Sequence, residues 1–494
     1  MAPVTNRAPW ISGATMSDLS PGRSRWAALT VLCAGMLMII LDGNIVSVAL
    51  PVIQHDLGFS PAGLAWTVNA YMIPFGGLLL LAGRLGDLLG RRRMLLAGLA
   101  VFTGASLLCG LASGPELLIA ARFVQGAGGA MASAVSLGMI VTLFTDPWER
   151  ARALGAFSFV GAAGASIGSV LGGVLTESFG WHSIFLINLP IGIAAVVGAL
   201  RLLPADRGLG LGAGADVLGG ALVTAGLMLA VYTIIESGGR STGHTLGFGA
   251  LSLALLAGFV ARQATAPRPL LPLRMFASRN VSGANLVQIL MVGAMFSFQF
   301  LVVLYMQRVL GYDANKAGLA LLPAALVIGA VTLLLSARLN ARFGERAVVL
   351  AGLALLALGL AHLTRLPVSG SYLVDLLPTL LLGSGFGLAI PALTALAMSD
   401  ATQADSGLVS GLCNTAQTVG GALGLAVLST LAATRTDGLL AGGTTEAAAL
   451  TGGYRLAFGV GAALVGAAIP LALLALRARS ARRTSEAKAV ASTA

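Results

Sequence analysis

The stretch GRLGDLLGRRR (residues 83–93) separates two long apolar runs and is itself rich in charge. Apolar runs of about 20 residues, the length needed to cross a bilayer, recur along almost the whole chain. Of the 494 residues, 57% are hydrophobic and only 10% are charged, whereas charged residues make up about a quarter of a soluble domain. The sequence therefore predicts an all-α polytopic membrane protein.

Fourteen spans are predicted, and two connections divide them. A Gly-rich connection (201–216) follows the sixth span, and the longest basic connection (262–279) follows the eighth. The spans cover approximately residues 27–50, 62–83, 93–112, 115–144, 153–175, 182–202, 215–235, 245–261, 281–306, 316–337, 347–364, 372–398, 407–431 and 453–476. The predicted parts are an N-terminal tail (1–26), an N-terminal six-helix half (27–205), two additional central spans (206–270), a C-terminal six-helix half (271–476) and a basic C-terminal tail (477–494).

The distribution of basic residues predicts the orientation. If the N-terminus is cytoplasmic, 23 of the 30 Lys and Arg residues lie in cytoplasmic segments and 6 lie in segments on the opposite side. This asymmetry follows the positive-inside rule and predicts a multi-pass cell-membrane protein with both termini in the cytoplasm. It also accounts for the net charge of +11 without nucleic-acid binding. The high content of Arg, Ala and Gly points to a GC-rich bacterium.

Several kinds of chemistry are not supported by the sequence. Lys316 and Lys488 are each followed by Ala, so the Gly-Lys-Ser/Thr of a P-loop does not occur. Cys33, Cys109 and Cys413 lie singly in apolar runs, as small buried residues do. No metal, cofactor or catalytic residue is predicted, and no paired catalytic groups support an intramembrane enzyme.

An internal repeat supports two related halves. The stretch ARLNARFGER (337–346) follows the tenth span as residues 83–92 follow the second, at an offset of 254 residues. Leu85, Gly90 and Arg92 match residues of the same type at this offset. Repeats of this kind are typical of secondary transporters that work by alternating access.

Asp42 lies inside the first apolar run, in the stretch LDGNIVSVALP (41–51). An ionised carboxylate there needs a partner, whereas loss of solvation favours the protonated form. Asp42 is therefore predicted to exchange a proton during transport. The alternative is a structural role, with the carboxylate bonded to backbone groups at a kink near Gly43.

Arg122 is the other charge inside a span of the first half. Such a residue normally faces a cavity or a partner, so it is predicted to line the central cavity beside Gln125 and to pair with Asp42. The alternative is an arginine whose head group reaches the membrane surface.

Small and polar residues mark further candidate positions. The residues Gly164, Gly168 and Gly172 recur every fourth position and predict a face for close helix packing. Polar residues inside spans are candidates to line a substrate cavity, with helix–helix hydrogen bonds as the alternative; they are Asn69, Gln125, Gln288, Gln299, Asn414 and Gln417.

The stretch 83–93 resembles the signature loop of the major facilitator superfamily, and 41–51 with fourteen spans resembles its drug:proton antiporter branch. The resemblance implies a major facilitator fold of two six-helix halves plus two extra central helices. It also implies a proton-coupling role for Asp42 and Arg122 and a cytoplasmic gate formed by Gly83, Asp87, Gly90, Arg91 and Arg92. The branch commonly has Pro where this chain has Ser169.

The predicted function is a monomeric, proton-coupled exporter of small amphipathic or cationic molecules such as drugs or antibiotics. Its expected partners are the substrate, protons and the lipid bilayer. The alternatives are a metabolite facilitator or symporter of the same fold and, in a different class, a non-transporting membrane sensor.

Overall fold

A computed structural model describes residues 23–60, 63–206, 208–210, 214–237, 241–399 and 406–476. In these ranges every regular element is helical. The predicted tails (1–26 and 477–494) lie almost wholly outside them. Two α-helices are short, α6 Ser183–Leu186 and α12 Ala337–Phe343. The other α-helices are α1 Arg23–Leu57, α2 Trp66–Leu89, α3 Arg91–Gly110, α4 Pro115–Leu143, α5 Pro147–Phe179, α7 Asn188–Leu202, α8 Val217–Glu236, α9 Thr242–Thr265, α10 Arg279–Arg308, α11 Ala314–Ala330, α13 Glu345–Leu363, α14 Leu380–Met398, α15 Ser406–Ala441 and α16 Glu446–Ala475.

The number of helices agrees with fourteen spans. Within the described ranges, 13 helices are long and apolar enough to cross a membrane. The apolar segment Ile167–Phe179 belongs to the 33-residue helix α5, which supplies the remaining span. The chain is thus an all-α, multi-pass membrane protein.

Several helices begin at a residue whose side chain caps the free backbone N–H groups of the first turn. Asp146 accepts hydrogen bonds from the backbone N–H groups of Trp148 and Glu149 at the start of α5. Ser278 and Asp313 cap α10 and α11 in the same way. A cap of this kind contributes about 1 kcal/mol and defines where the helix begins.

The connection expected over residues 83–93, from its resemblance to the signature loop, is shorter in the structure. α2 continues to Leu89, so Gly83 and Asp87 lie within this helix, and the turn consists of Gly90 alone. The backbone N–H of Gly90 still bonds to Gly86 O at 3.0 Å. Gly90 has a positive φ of +102°, which a glycine adopts readily, whereas Gly83 has helical backbone.

Corresponding contacts relate the two halves. Gly344 joins α12 to α13 at φ +81°, as Gly90 joins α2 to α3. Arg346 donates to a backbone carbonyl of α16, and Arg92 donates to one of α7, the last helix of its own half. Gly98 and Gly352, also 254 residues apart, each lie against the backbone of the following long helix. The internal similarity therefore extends from sequence to packing.

The halves contact each other mainly where α1 meets α10, α2 meets α15 and α5 meets α11. Gln307 Nε2 donates to Val48 O at 2.8 Å, late in both α1 and α10. A Cβ atom at Gly173, near the end of α5, would lie 2.6 Å from the carbonyl oxygen of Ala314 at the start of α11. The contacts of Gln307 with Val48 and of Gly173 with Ala314 lie at the end of the bundle opposite to Gly90, so the halves are closed together there.

Helices α8 and α9 form a hairpin on the side of the bundle where the halves meet. α8 packs on α2 and α15, and α9 packs on α8. Only 6% of the α9 span is buried, against 39% for α8. The hairpin ends are tied together by Asp216, which accepts from Arg262 Nε at 3.0 Å and Gln263 Nε2 at 2.8 Å.

Candidate functional site

An ion pair between Asp42 and Arg122 lies inside the first half. Asp42 is near the middle of α1, and its Oδ2 lies 2.5 Å from Nη1 of Arg122 on α4. The side chains are 0% and 1% exposed. The sequence paired these residues, and the fold brings them together across 80 positions. Removing one partner of such a pair leaves an uncompensated buried charge.

The guanidinium of Arg122 is held on several sides. Its Nε donates to Thr67 O at 3.0 Å, and its Nη1 also donates to Gln125 Oε1 at 2.7 Å. Its central carbon lies 4.3 Å from the centroid of the Tyr71 ring and 5.7 Å from that of Phe185. These contacts exclude an arginine that reaches the membrane surface, because the head group points into the protein.

Two amides complete the surroundings of Asp42. Gln125 Nε2 and Asn188 Nδ2 donate to Asp42 Oδ1 at 2.8 and 2.9 Å. Both amides also donate to Ser106 Oγ, at 2.8 and 3.3 Å, and the Ser106 hydroxyl donates to Phe102 O. Arg122, Gln125 and Asn188 thus each present a donor to the carboxylate of Asp42, and Ser106 connects the two amides.

The pair does not line an open cavity, contrary to the prediction from sequence. Arg122 is 1% exposed, and Gln125 and Phe185 are fully buried. The physical reason is that Tyr71 and Phe185 cover the guanidinium while α7 brings Asn188 over the carboxylate. The site is a closed polar cluster, formed by α1, α2, α3, α4 and α7.

Sequence reasoning missed Ser106 and Asn188 as members of this cluster. Each is a polar residue in an apolar run, the same signal that singled out Asn69. That signal does not reveal depth in the membrane or the direction of a side chain. Only the packing of α3 and α7 against α1 shows that both face Asp42.

The glycine stripe of α5 packs on the turn of α1 that carries Asp42. A Cβ atom at Gly168 would lie 3.0 Å from Leu41 O, and one at Gly172 would lie 2.6 Å from Ile45 O. Gly164 lies against Leu37 in the same way. Close approach of these backbones therefore positions the carboxylate.

The remaining polar candidates divide into buried and accessible residues. Asn69 and Gln288 are fully buried, and within the described part of the chain neither amide has a hydrogen-bond partner, so the helix–helix bonds considered for them are not formed. Gln299 is half-buried and donates to Asn44 Oδ1 at 3.2 Å across the halves. Asn414 is exposed and Gln417 is half-buried. Both precede Gly421 at helical spacing, and Gly421 faces Met72 and Phe296, so this side of α15 faces the space between the halves.

The residues of the signature stretch make ordered contacts within the first half. Arg91 pairs with Asp87 Oδ1 at 3.1 Å and donates to Gly138 O on α4 at 3.1 Å. Arg92 donates to the carbonyls of Ala199 and Leu200 on α7. The two arginines thus join the α2–α3 turn to α4 and α7.

The linker that leads to the α8–α9 hairpin covers this turn. Asp206 accepts from the backbone N–H groups of Arg91 and Arg92, at 2.5 and 3.1 Å. The N–H groups of Leu209 and Gly210 donate to the carbonyls of Asp87 and Leu88, at 2.9 and 3.0 Å. The linker therefore satisfies free backbone groups at both the end of α2 and the start of α3.

The comparison with protein families agrees with these features. The model of the Major Facilitator Superfamily matches residues 32–425, which include the Asp42–Arg122 pair and the α2–α3 turn. This chain belongs to the Major Facilitator Superfamily. It is therefore a membrane transporter and not an enzyme.

Relatives of this superfamily transporter include bacterial antibiotic exporters. The cephamycin export protein CmcT of Amycolatopsis lactamdurans is 39% identical over 416 residues, which are 83% of this chain and 86% of that protein. The puromycin resistance protein pur8 of Streptomyces alboniger is 36% identical over 477 residues, 94% of this chain and 95% of that protein. A tetracenomycin C resistance and export protein of Streptomyces glaucescens is 33% identical over 429 residues, covering 86% and 79%.

Solved transporters share the fold of this superfamily member. A bacterial homolog of the human lysosomal transporter Spinster, in an inward-facing and occupied conformation, superposes with a TM-score of 0.69 at 14% identity, covering 92% of this chain and 97% of that one. The POT family transporter PepTSo gives a TM-score of 0.66 at 15% identity, covering 90% of this chain and 98% of that one. Among the described residues, no group of three His, Cys, Asp or Glu side chains could hold a metal ion.

Proposed function

We propose that this transporter exports small amphipathic or cationic antibiotic-like molecules in exchange for protons. The observation that carries the proposal is the buried pair of Asp42 and Arg122, placed inside one half and sealed from solvent. A carboxylate in that position is costly to maintain unless its charge is used. Relatives that are named as exporters or resistance proteins for several antibiotics support the substrate class.

The geometry supports a mechanism in which protonation unlocks the first half. Ionised Asp42 joins α1 to α4 through Arg122 and to α7 through Asn188. A proton on Asp42 removes the charge that Arg122 neutralises, so the ties between these helices weaken. For exchange, Asp42 takes up the proton while the halves are apart at the end where α5 meets α11 and α1 meets α10, after the substrate has left. The protonated form then closes this end, and release of the proton on the opposite side restores the pair of Asp42 and Arg122.

The orientation places this cycle in a cell membrane. With both termini cytoplasmic, as the basic residues favour, the closed end faces outward and the α2–α3 turn faces inward. Substrate then enters the space between the halves from the cytoplasm and contacts Gln299, Asn414 and Gln417. Asn69 and Gln288 gain partners only when their surroundings open. The proposed unit is a monomer, in which the two halves of one chain form the pathway.

The test is transport by purified protein in liposomes, with puromycin as the first probe and other antibiotics after it. An imposed pH gradient should drive accumulation of puromycin by the wild type. The pH gradient itself should dissipate faster when substrate is added. Asp42→Asn, reconstituted at the same amount of folded protein, should lose this gradient-driven accumulation. Asp375→Asn, at a partly exposed position in the other half, serves as the matched control and should behave as wild type.

Three outcomes would contradict the proposal. Equal transport rates with and without a pH gradient would indicate a facilitator. Accumulation by Asp42→Asn at the wild-type level would show that the proton is carried elsewhere. Accumulation in the direction of proton flow would indicate a symporter.

A further inference from the structure

In the described part of the chain, the Asn188 amide forms hydrogen bonds through its nitrogen and not through its oxygen. Asn188 is the first residue of α7 and is fully buried. Its Nδ2 donates to Asp42 Oδ1 at 2.9 Å and to Ser106 Oγ at 3.3 Å. Its Oδ1 has no hydrogen-bond partner among the described residues. Buried amide oxygens without a donor are uncommon and unfavourable, so this atom needs an explanation.

A protonated Asp42 would supply the missing donor. The ionised carboxylate accepts from Arg122, Gln125 and Asn188, but a carboxylic acid also has an O–H group that needs an acceptor. The Gln125 oxygen already accepts from Arg122, and the Ser106 oxygen already accepts from both amides. Asn188 Oδ1 is the acceptor beside Asp42 that is still unused.

We propose that Asn188 is a positioning residue for the coupling proton, which rests on the proposed role of Asp42. In the ionised state, Asn188 Nδ2 holds the carboxylate beside Arg122. A proton delivered by water adds to Asp42 Oδ1, and the amide turns about its Cβ–Cγ bond so that Asn188 Oδ1 accepts the new O–H. This torsion is broad and roughly two-fold, so the turn needs no backbone movement.

The chemistry of the neighbours assigns the pH response to Asp42. The charged and titratable groups that face it are Arg122 from α4, Tyr71 from α2 and Cys109 from α3, whose sulfur lies 3.6 Å from Gln125 Oε1. Arg stays charged, and Tyr and Cys side chains lose their protons only in alkaline solution. The neighbours from α6 and α7 are Phe185 and Asn188, neither of which carries a charge.

The experiment measures gradient-driven puromycin transport in liposomes between pH 5.5 and 8.5. Asn188→Leu removes a donor to the ionised form, which is worth more than the acceptor lost to the protonated form. The midpoint of the pH profile should therefore rise. A tenfold increase in the proton affinity of Asp42 would raise it by about one pH unit. Asn188→Asp, which has the same shape, places a second carboxyl beside Asp42 and should raise the midpoint further, because like charges favour protonation.

The matched control is Asn285→Leu, which alters a buried Asn of α10 whose amide bonds, among the described residues, only to Val281 O of its own helix. Its midpoint should equal that of the wild type. Wild-type midpoints in both Asn188 variants, with only the rate reduced, would overturn the proposal and leave a packing role. If Asn188→Leu does not accumulate, the isosteric Asn188→Asp decides the question by its midpoint. If Asp42→Asn loses proton coupling but both Asn188 variants keep the wild-type midpoint, only this inference is refuted. If Asp42→Asn retains proton coupling, the proposed function is refuted.

Discussion

Removing both members of the Asp42–Arg122 pair should destabilise the protein less than removing either one. Asp42→Asn leaves the Arg122 guanidinium buried at 1% exposure without a counterion, and Arg122→Met leaves the carboxylate without its cation. Breaking a buried pair in this way costs about 3–5 kcal/mol, whereas replacing the whole pair is often nearly neutral. Independent effects would sum to about 6–10 kcal/mol in the double variant. We expect a loss below about 3 kcal/mol, and hence a coupling energy of at least about 3 kcal/mol.

The assay is thermal unfolding of the wild type, both single variants and the double variant, purified in one detergent. The double variant should unfold at a higher temperature than either single variant. The control is the cycle of Arg25→Met and Glu149→Gln, which removes a pair 3.4 Å apart with side chains 31% and 34% exposed. Exposed pairs of this kind contribute at most about 1 kcal/mol, so that cycle should be nearly additive. An additive loss in the Asp42–Arg122 cycle would refute the reasoning.

Three further predictions concern the linker, the closed end and the central hairpin. Asp206→Ala should slow transport and lower the free energy of unfolding by about 1–2 kcal/mol, because two N–H groups at the start of α3 lose their acceptor. The control is Asp146→Ala, which removes an equivalent cap from α5. Equal slowing of transport in both variants would show that the linker has no special role. Gly173→Val should weaken closure of the halves, because its side chain meets Ala314 O; crosslinking across α5 and α11 that matches the wild type would contradict this. Burial alone would raise the pKa of Asp216, but hydrogen bonds from Gly219 N–H, Arg262 and Gln263 outweigh it and hold that pKa below the ordinary value of 3.8. The contribution of Asp216 to stability is therefore complete above pH 3.8 and is lost as the pH falls through the lowered pKa. The difference in unfolding temperature between the wild type and Asp216→Asn should then shrink on acidification. A difference that stays constant would refute this prediction.

Much of the architecture could be predicted from local sequence. A span needs about 20 apolar residues, and this requirement is satisfied within each segment, so the helices are visible one at a time. Asp42 and Arg122 were also visible, because a charge in an apolar run is expensive wherever the run is placed. The glycines of α5 showed their shared face through helical spacing alone.

The partners of that pair could not be predicted, because they come from helices far apart in the chain. Asn188 reaches Asp42 across 146 positions, and Ser106 reaches Asn188 across 82. A lone Asn or Ser in a span has the same local sequence signal whether it faces lipid, a cavity or a carboxylate. Which it faces depends on the rotation and depth of each helix, and those are set by packing against its neighbours.

The sequence by itself determined the membrane-spanning class, the repeat marked by Gly90 and Gly344, and the pairing of Asp42 with Arg122. Tertiary structure decided that the pair is enclosed, although a cavity position was predicted, since Tyr71 and Phe185 close over it only after the helices assemble. It also decided that Asp206 caps α3. The physical reason is common to both cases. Apolar length and buried charge are properties of one segment, whereas enclosure and capping need atoms from several segments at distances below 4 Å, which no single segment specifies.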